Sequence, residues 1–177
     1  MSADTSCEHA RLMVIDTDAI ELREFNASDG DVLDEVFAGL SDESRFLRYL
    51  TPMPTLHAQA RRVLTAVDGC SHVAVAAFAD GKAIGIARVV GLGGHRGELA
   101  VEVVDAWQGR GIGTRLGHWI RERAAALDYT ELVAETSAGN SRAQALMRKV
   151  FPDHVTRREG TVTVFTMPVG SIHPSAA

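Results

Sequence analysis

The sequence predicts an α+β domain in which helices flank a mixed, mostly antiparallel β-sheet. Three patterns predict it. Apolar residues recur at helical spacing before residue 68 and again after residue 111, while the segment between them has the pattern of strands. Asp80-Gly81, between two apolar runs, is a strong hairpin turn. A second pair of strand-like runs meets near Glu159-Gly160.

Length and composition indicate one globular domain that spans residues 1–177. Hydrophobic residues make up 46% of the chain and charged residues 23%, which are ordinary proportions for a soluble protein. A chain of this length can bury a core without a disulfide or metal staple. Both ends, about residues 1–10 and 170–177, are polar and patternless, so we expect loose arms there.

Charge and hydropathy exclude several classes of function. A net charge of −5 argues against a basic surface for nucleic acid. No apolar run approaches the roughly 20 residues that span a bilayer, and the N-terminus lacks the pattern of a signal peptide. We therefore expect a cytoplasmic monomer or homodimer, with neither nucleic acid nor a membrane as its partner.

The first part of the chain is predicted to form one strand and two or three helices. Ile20 to Phe25 has the pattern of a short strand. The helical repeat that follows consists of Val32, Leu33, Val36, Phe37 and Leu40. Ser41 begins a second helix, and Thr51-Pro52 ends it because proline cannot continue a helix. A further apolar stripe at helical spacing consists of Ala60, Val63, Leu64 and Val67.

Three strands, a helix, a strand, a helix and two strands are predicted for the remainder. The predicted strands are 72–79, 83–90, 98–104, 131–136, 155–158 and 161–167. Helical spacing marks residues 112–127 and 143–150, with Asn140 or Ser141 as the cap of the second helix. The predicted order is therefore β-α-α-β-β-β-α-β-α-β-β, with a third early helix left open.

The segment from Val103 to Leu116 carries the clearest chemical pattern. A predicted strand ends here, three glycines alternate over five residues, and an amphipathic helix begins at once. The glycines are Gly109, Gly111 and Gly113. Glycine permits positive φ and close approach to a ligand, and the free N–H groups of a helix start favour anions. With Arg110 and Arg115 adding positive charge, the pattern predicts a phosphate cradle, with pyrophosphate the favoured ligand.

Two other phosphate motifs do not fit this segment. A Rossmann fingerprint that begins at Gly109 requires glycine where Thr114 stands, and one that begins at Gly111 requires it at Leu116. The Gly-Lys-Ser/Thr ending of a Walker loop is missing. The plain alternative is a glycine-rich connection between strand and helix, although three glycines are costly for that role.

Two motifs in the second half resemble the GNAT superfamily of acyl-CoA-dependent N-acyltransferases. Residues 108–113, QGRGIG, are similar to its Q/R-x-x-G-x-G/A signature, and residues 140–149, NSRAQALMRK, to its N-x-x-A-x-x-L-x-x-K helix. The order of elements resembles the family from about residue 20 to 168. A weaker likeness to bacterial protein-lysine acetyltransferases lies in residues 40–49 and 98–101.

The resemblance implies an activity and a set of binding residues. The activity is transfer of an acetyl group from acetyl-CoA to a primary amine, by direct attack in a ternary complex. In the family, a splayed strand ahead of the cradle offers a backbone N–H to the thioester carbonyl, which here falls near Glu102 or Val103. The residues placed against acetyl-CoA are Val103, Val104, Gln108, Gly109, Arg110, Gly111, Ile112, Gly113, Thr114, Arg115, Asn140 and Met147. For Asn140, a plain helix cap is an equal alternative.

Glu98 and Glu102 are the candidate general bases. Four residues apart in a strand, both project from one face, while Leu99, Val101 and Val103 face the core. Two neighbouring carboxylates raise each other's pKa, which suits a base that deprotonates an amine near neutral pH. Glu98 is preferred because several members of the family place their catalytic glutamate at a similar distance from the signature. The alternative is a solvated strand face without a catalytic role.

The chain departs from the family at Met147. Many members have a tyrosine there as general acid, whereas methionine cannot donate a proton. A thiol with a pKa of about 8.5 leaves tolerably without full protonation, so the departure does not exclude turnover.

The acceptor and the mode of action stay open at this stage. The acceptor is a protein lysine or a small amine or amino acid, and a CoA-binding sensor without turnover is the alternative from another class. No H-E-x-x-H motif or His/Cys pairing is present, so we expect no metal.

Overall fold

The computed structural model describes residues 20–170, so the predicted arms lie outside the described residues except for Gly170. One sheet contains the strands β1 (Ile20–Phe25), β2 (His72–Ala79), β3 (Lys82–Gly93), β4 (Arg96–Val103), β5 (Glu131–Ser137), β6 (Val155–Glu159) and β7 (Val162–Pro168). The helices are α1 (Gly30–Ala38), α2 (Asp42–Tyr49), α3 (Ala58–Thr65), α4 (Ile112–Ala126) and α5 (Ser141–Val150). The predicted α+β class is confirmed, and the third early helix is formed.

The sheet is mixed, as predicted, with the order β1-β2-β3-β4-β5-β7-β6. Only β4 and β5 run parallel, because α4 crosses over between them; all other neighbours are antiparallel. The predicted hairpin joins β2 and β3 through Asp80 and Gly81, whose φ angles of 49° and 76° suit a tight two-residue turn.

One predicted turn is displaced along the chain. The sequence places a turn at 91–94, but β3 continues to Gly93 and its pairing with β4 resumes at Gly93–Arg96. A register shift between Gly91 and Gly93 absorbs the extra residue, and this irregularity keeps the strand in the sheet. The turn therefore follows at Gly94 and His95, which both have positive φ.

The larger core lies between the sheet and helices α4 and α5. Ile112, Leu116 and Ile120 follow one another every four residues along α4, and each is at most 1% exposed. From β4, Leu99 is buried in this core and Val101 and Val103 pack against it, as their alternation predicts. A smaller apolar cluster on the opposite face consists of Phe25, Leu33, Val36, Ala74, Ala76, Ala83 and Ile86.

Helices α2 and α3 lie on the face of the smaller cluster but bury no residue fully. Helix α2 begins at a side-chain cap, in which the Ser41 hydroxyl accepts the Ser44 N–H at 3.2 Å. It ends at Leu50, which takes a left-handed conformation with φ 56°. Within residues 20–170, no helix has the length and apolar character needed to span a membrane.

Candidate active site

The strands β4 and β5 diverge from a short paired segment. Strand β4 stays in register with β3 from Arg96 to Val103, but it pairs with β5 only over Arg96–Glu98, opposite Glu131–Val133. Beyond Glu98, the side of β4 that faces β5 has no strand partner. The structure thus contains a splayed strand ahead of the cradle, as the family resemblance implies.

Backbone alternation decides which amides face this gap. The Val104 N–H donates to the Ile84 carbonyl of β3 at 2.9 Å. In an antiparallel ladder the direction alternates, so the N–H of Glu102 also faces β3 while those of Val101 and Val103 face the gap. Of the two positions predicted for the carbonyl donor, Val103 has the required orientation, and Val101 joins it as a second candidate.

The glycine-rich segment at the end of β4 has the geometry of an anion cradle. Gly109 and Gly111 have φ angles of 75° and 82°, and a Cβ at either position would meet no atom within 4 Å. Helix α4 then begins at Ile112 without a side-chain cap and without an acidic residue in its first turn. Its N–H groups and positive dipole end are therefore available to an anion, and the residues present fit a phosphate group.

The third glycine has a different role. A Cβ at Gly113 would lie 3.3 Å from Leu146 of α5, so the absence of a side chain lets the two helices approach. The Ile112 side chain points into the core at 1% exposure, which leaves only its backbone for a ligand.

The two arginines of the segment are directed to different places. The guanidinium of Arg110 lies 4.8 Å from the centre of the Trp107 ring at the exposed surface. The guanidinium of Arg115 instead donates to the Ile20 carbonyl of β1 at 3.1 Å. Arg110 is thus the arginine of this pair that lies beside the cradle with its charge toward solvent.

Gln108 connects the cradle to three other elements. Its Nε2 donates to the Val103 carbonyl at 3.0 Å and to the Ser44 hydroxyl of α2 at 3.3 Å. Its Oε1 accepts from Arg142 of α5 at 2.7 Å. Because the side chain is occupied by protein partners, the backbone of Gln108 is what remains for a ligand.

Glu98 and Glu102 share one face of β4, as predicted, but their environments differ. Glu98 is exposed, whereas the Glu102 side chain is 2% exposed. The Tyr49 hydroxyl donates to Glu102 Oε2 at 3.1 Å, and Arg48 Nε lies 3.3 Å from the same oxygen. On the other oxygen, Arg88 lies 3.6 Å away. Glu102 is therefore an ion-pair centre rather than an accessible carboxylate.

Burial and the negative charge of Glu102 both shift the pKa values of the neighbouring Tyr49 and Arg88. Burial, with the charge of Glu102, raises the pKa of Tyr49, so this hydroxyl keeps its proton throughout the neutral range. Burial lowers the pKa of Arg88, and the charge of Glu102 opposes that effect. Arg88 also donates to the Leu64 carbonyl of α3 at 2.7 Å. The ion pairs connect β3, β4 and α2, and the hydrogen bond from Arg88 to Leu64 adds α3.

None of these three partners of Glu102 was predicted from the sequence. Arg48 and Tyr49 occupy ordinary positions on an amphipathic helix and carry no pattern of their own. Arg88 did offer an indication, since it interrupts the predicted apolar strand 83–90. A charge in the middle of a buried strand requires an opposite charge nearby, and Glu102 is that charge.

Four other predicted site residues are buried or half-buried. The Asn140 side chain caps α5 by accepting the Ala143 N–H at 3.0 Å. Met147 is 4% exposed within the larger core. The Val104 side chain packs against the smaller cluster, on the face opposite to the larger core. Thr114 is half-buried in the first turn of α4. In the described part of the chain, no group of three or more His, Cys, Asp or Glu side chains could hold a metal ion.

Comparison with known proteins identifies relatives of this arrangement. The model of the acetyltransferase (GNAT) family matches residues 34–151, well over half of the chain. A search of curated protein sequences finds no match.

Solved structures share the fold. The GNAT domain of PAT from S. lividans is 24% identical with a TM-score of 0.77, covering 84% of this chain and 90% of that one. A phosphinothricin acetyltransferase from Sinorhizobium meliloti, solved with acetyl-CoA, is 18% identical with a TM-score of 0.70, covering 86% and 89%. The ribosomal-protein-S5-alanine acetyltransferase from Vibrio fischeri is 14% identical with a TM-score of 0.70, covering 92% and 100%.

Proposed function

The chain belongs to the GNAT acetyltransferase family, and we propose that it moves an acetyl group from acetyl-CoA to a primary amine by direct attack in a ternary complex. The observation that carries the proposal is the divergence of β4 from β5 after Glu98, with an uncapped glycine cradle at the end of the same strand. The gap can admit the pantetheine arm between the strands, and the cradle can hold the pyrophosphate.

In this proposal the cofactor is held mainly by backbone. The N–H groups of residues 109–114 bind the pyrophosphate, and Arg110 supplies positive charge beside them. Val101 and Val103 present N–H groups to the gap, where one of them hydrogen-bonds the thioester carbonyl and stabilises the oxyanion of the tetrahedral intermediate. Val104, Asn140 and Met147 support this surface through packing and the cap of α5.

Glu98 is the proposed general base, because its side chain is exposed and takes part in no hydrogen bond or ion pair recorded among the described residues. Three residues of strand, roughly 10 Å, separate it from Val101, and five residues, roughly 17 Å, from Val103, so a chain of water molecules carries the amine proton to the carboxylate. The amine nitrogen attacks the thioester carbon, and the C–S bond breaks in the collapse of the intermediate. The proton that the attacking nitrogen then loses passes through water to the CoA thiolate, since Met147 cannot donate one.

For the acceptor we propose a protein lysine. Strand β6 is exposed at all five residues, and α2, which contacts β4 and β5, leaves Phe46 45% exposed. A lysine on a protein surface needs such an open rim, whereas a small amine is usually held in an enclosed pocket. A small-molecule amine or amino acid is the alternative acceptor.

The test is release of free CoA thiol from acetyl-CoA in the presence of two amine panels. One panel contains lysine peptides and folded proteins, and the other contains polyamines and free amino acids. Release that depends on the first panel, with a 42 Da increase in intact protein mass per acetyl group, is the expected result. Binding of acetyl-CoA in calorimetry without turnover on either panel would instead indicate the non-catalytic sensor.

A further inference from the structure

Helix α2 buries no residue fully, and three polar anchors hold it in place beside the packing of Tyr49 against Phe37. Arg45 donates to the carbonyls of Phe37 and Pro54 at 3.1 Å and 2.9 Å, which ties α2 to α1 and to the segment before α3. The second anchor is the Glu102 ion-pair centre at the end of the helix. The third is the contact between Ser44 and Gln108. Two of the three anchors therefore lead to β4 or to the residue directly before the cradle.

The contact between Ser44 and Gln108 is part of a longer chain of hydrogen bonds. Arg142 donates to Gln108, and Gln108 donates to the Ser44 hydroxyl. Although burial raises the pKa of Asp105, hydrogen bonds from Ser41 and Ser44 bring it below the usual value, so Asp105 is a carboxylate at the end of this chain. The first turn of α2 is thereby fixed to the segment that connects β4 to the cradle.

We propose that Gln108 is a positioning residue that transmits occupancy of the cradle to α2, the helix beside the acceptor end of the gap. The inference rests on the proposed function. A phosphate bound by residues 109–114 restricts the backbone that follows Gln108, and so restricts the direction of its side-chain amide. Because that amide contacts Ser44, the first turn of α2 is restricted with it. Gln108 contacts no reacting atom in this arrangement.

The coupling works in both directions. If CoA binding favours one position of α2, any acceptor that requires that position raises the affinity for CoA by the same factor. Couplings of this kind are typically about 5-fold to 150-fold.

The experiment requires no known acceptor and uses CoA as the probe. Amide hydrogen exchange of residues 42–49 is measured with and without saturating CoA, while calorimetry measures CoA affinity. In the wild-type protein, CoA is expected to slow exchange in α2 by about fivefold or more. In Ser44→Ala, which keeps good helix propensity, CoA is expected to bind with similar affinity and to leave α2 exchange unchanged. In Gln108→Leu, measured at saturating CoA, the slowing of α2 exchange should likewise be lost, whatever affinity the variant has for CoA.

Arg45→Met is the matched control, since it removes an anchor of α2 that does not lead to the cradle. Exchange in α2 should be faster both with and without CoA, and the slowing by CoA should persist. Slowing that persists in Ser44→Ala would overturn the inference, because CoA would then act on α2 by another route. CoA that binds the wild-type protein without affecting α2 would also overturn it. Failure of the wild-type protein to bind CoA would overturn the proposed function itself.

Discussion

Helices α4 and α2 approach the end of β4 from opposite faces of the sheet, and different forces hold them there. Helix α4 buries Ile112, Leu116, Gly117, Ile120 and Ala124. Helix α2 buries no residue fully and is fixed by hydrogen bonds and ion pairs. A buried leucine or isoleucine contributes about 1.5–3 kcal/mol without demanding a particular geometry. A buried ion pair stabilises the fold only where its geometry and hydrogen bonds offset the cost of removing the charges from water.

The two sides of the gap are therefore expected to differ in rigidity. The cradle lies on a helix that packs tightly along its length, so its N–H groups are pre-organised for a phosphate. The proposed acceptor side lies against a helix whose position depends on a few polar contacts, which can rearrange without exposing a core. Four predictions test this contrast, in order of decreasing expected effect.

Glu98→Gln should lower kcat/KM by about 10²- to 10⁴-fold at neutral pH, which is the usual contribution of a positioned base. Acetyl-CoA affinity should stay unchanged, because the carboxylate acts on the amine. Steady-state kinetics with an accepted amine, together with calorimetry, measure both quantities. A larger loss of kcat/KM in Glu102→Gln than in Glu98→Gln, calculated per mole of folded protein, would identify Glu102 as the base instead.

Glu102→Gln should reduce the free energy of unfolding by about 3–5 kcal/mol, because it leaves Arg88 buried without its opposite charge. Denaturant titration measures the change. Glu98→Gln is the control on the same strand and face, and an exposed substitution of this type changes stability by no more than about 0.5 kcal/mol. Equal stability of the two variants would mean that the ion pairs do not hold the acceptor side together.

Gly111→Val should weaken acetyl-CoA binding by at least about 100-fold, or about 2.7 kcal/mol. The position has φ 82°, and a branched side chain would occupy the space that a phosphate needs. Gly81→Val is the matched control, because Gly81 has φ 76° and open space in a turn of its own. Calorimetry on both variants separates a cradle effect from backbone strain, and equal affinities would refute the cradle assignment.

The smallest effect concerns His72, which is buried on the polar-anchored face beside Arg88 and Asp68. Burial, and then the charge of Arg88, lower the pKa of His72 below its unfolded value of 6.5, although Asp68 opposes the change. The unfolded state therefore binds the proton more readily, and stability should fall as pH decreases below about 6.5, by at most about 1.4 kcal/mol per pH unit.

Urea titrations between pH 7.5 and 5 measure this slope. Asp68 does not titrate in this pH range, because its pKa is about 2. Burial raises that pKa, but hydrogen bonds from Ser71 and from nearby backbone N–H groups lower it. His72→Gln should flatten the slope, while the exposed control His118→Gln should leave it in place. A slope that survives in His72→Gln would assign it to another group.

Local patterns in the sequence determined the order of elements, the β2–β3 hairpin and the cradle. These features depend on neighbours within a few positions. They are glycine where φ is positive, apolar residues two positions apart in strands and three or four apart in helices, and a strand that is followed directly by a helix. Alternation likewise placed Glu98 and Glu102 on one face, because side chains in a regular strand point to opposite sides by turns.

The tertiary structure alone decided what surrounds those side chains. Tyr49 and Glu102 are 53 positions apart, and Gln108 and Ser44 are 64 apart, so no local pattern relates them. Glu98 and Glu102 are chemically identical and share a face, yet one is exposed and the other is an ion-pair centre. The reason is physical: a charge is stable in the interior only where opposite charges and hydrogen-bond donors from separate elements converge, and chain folding determines that convergence.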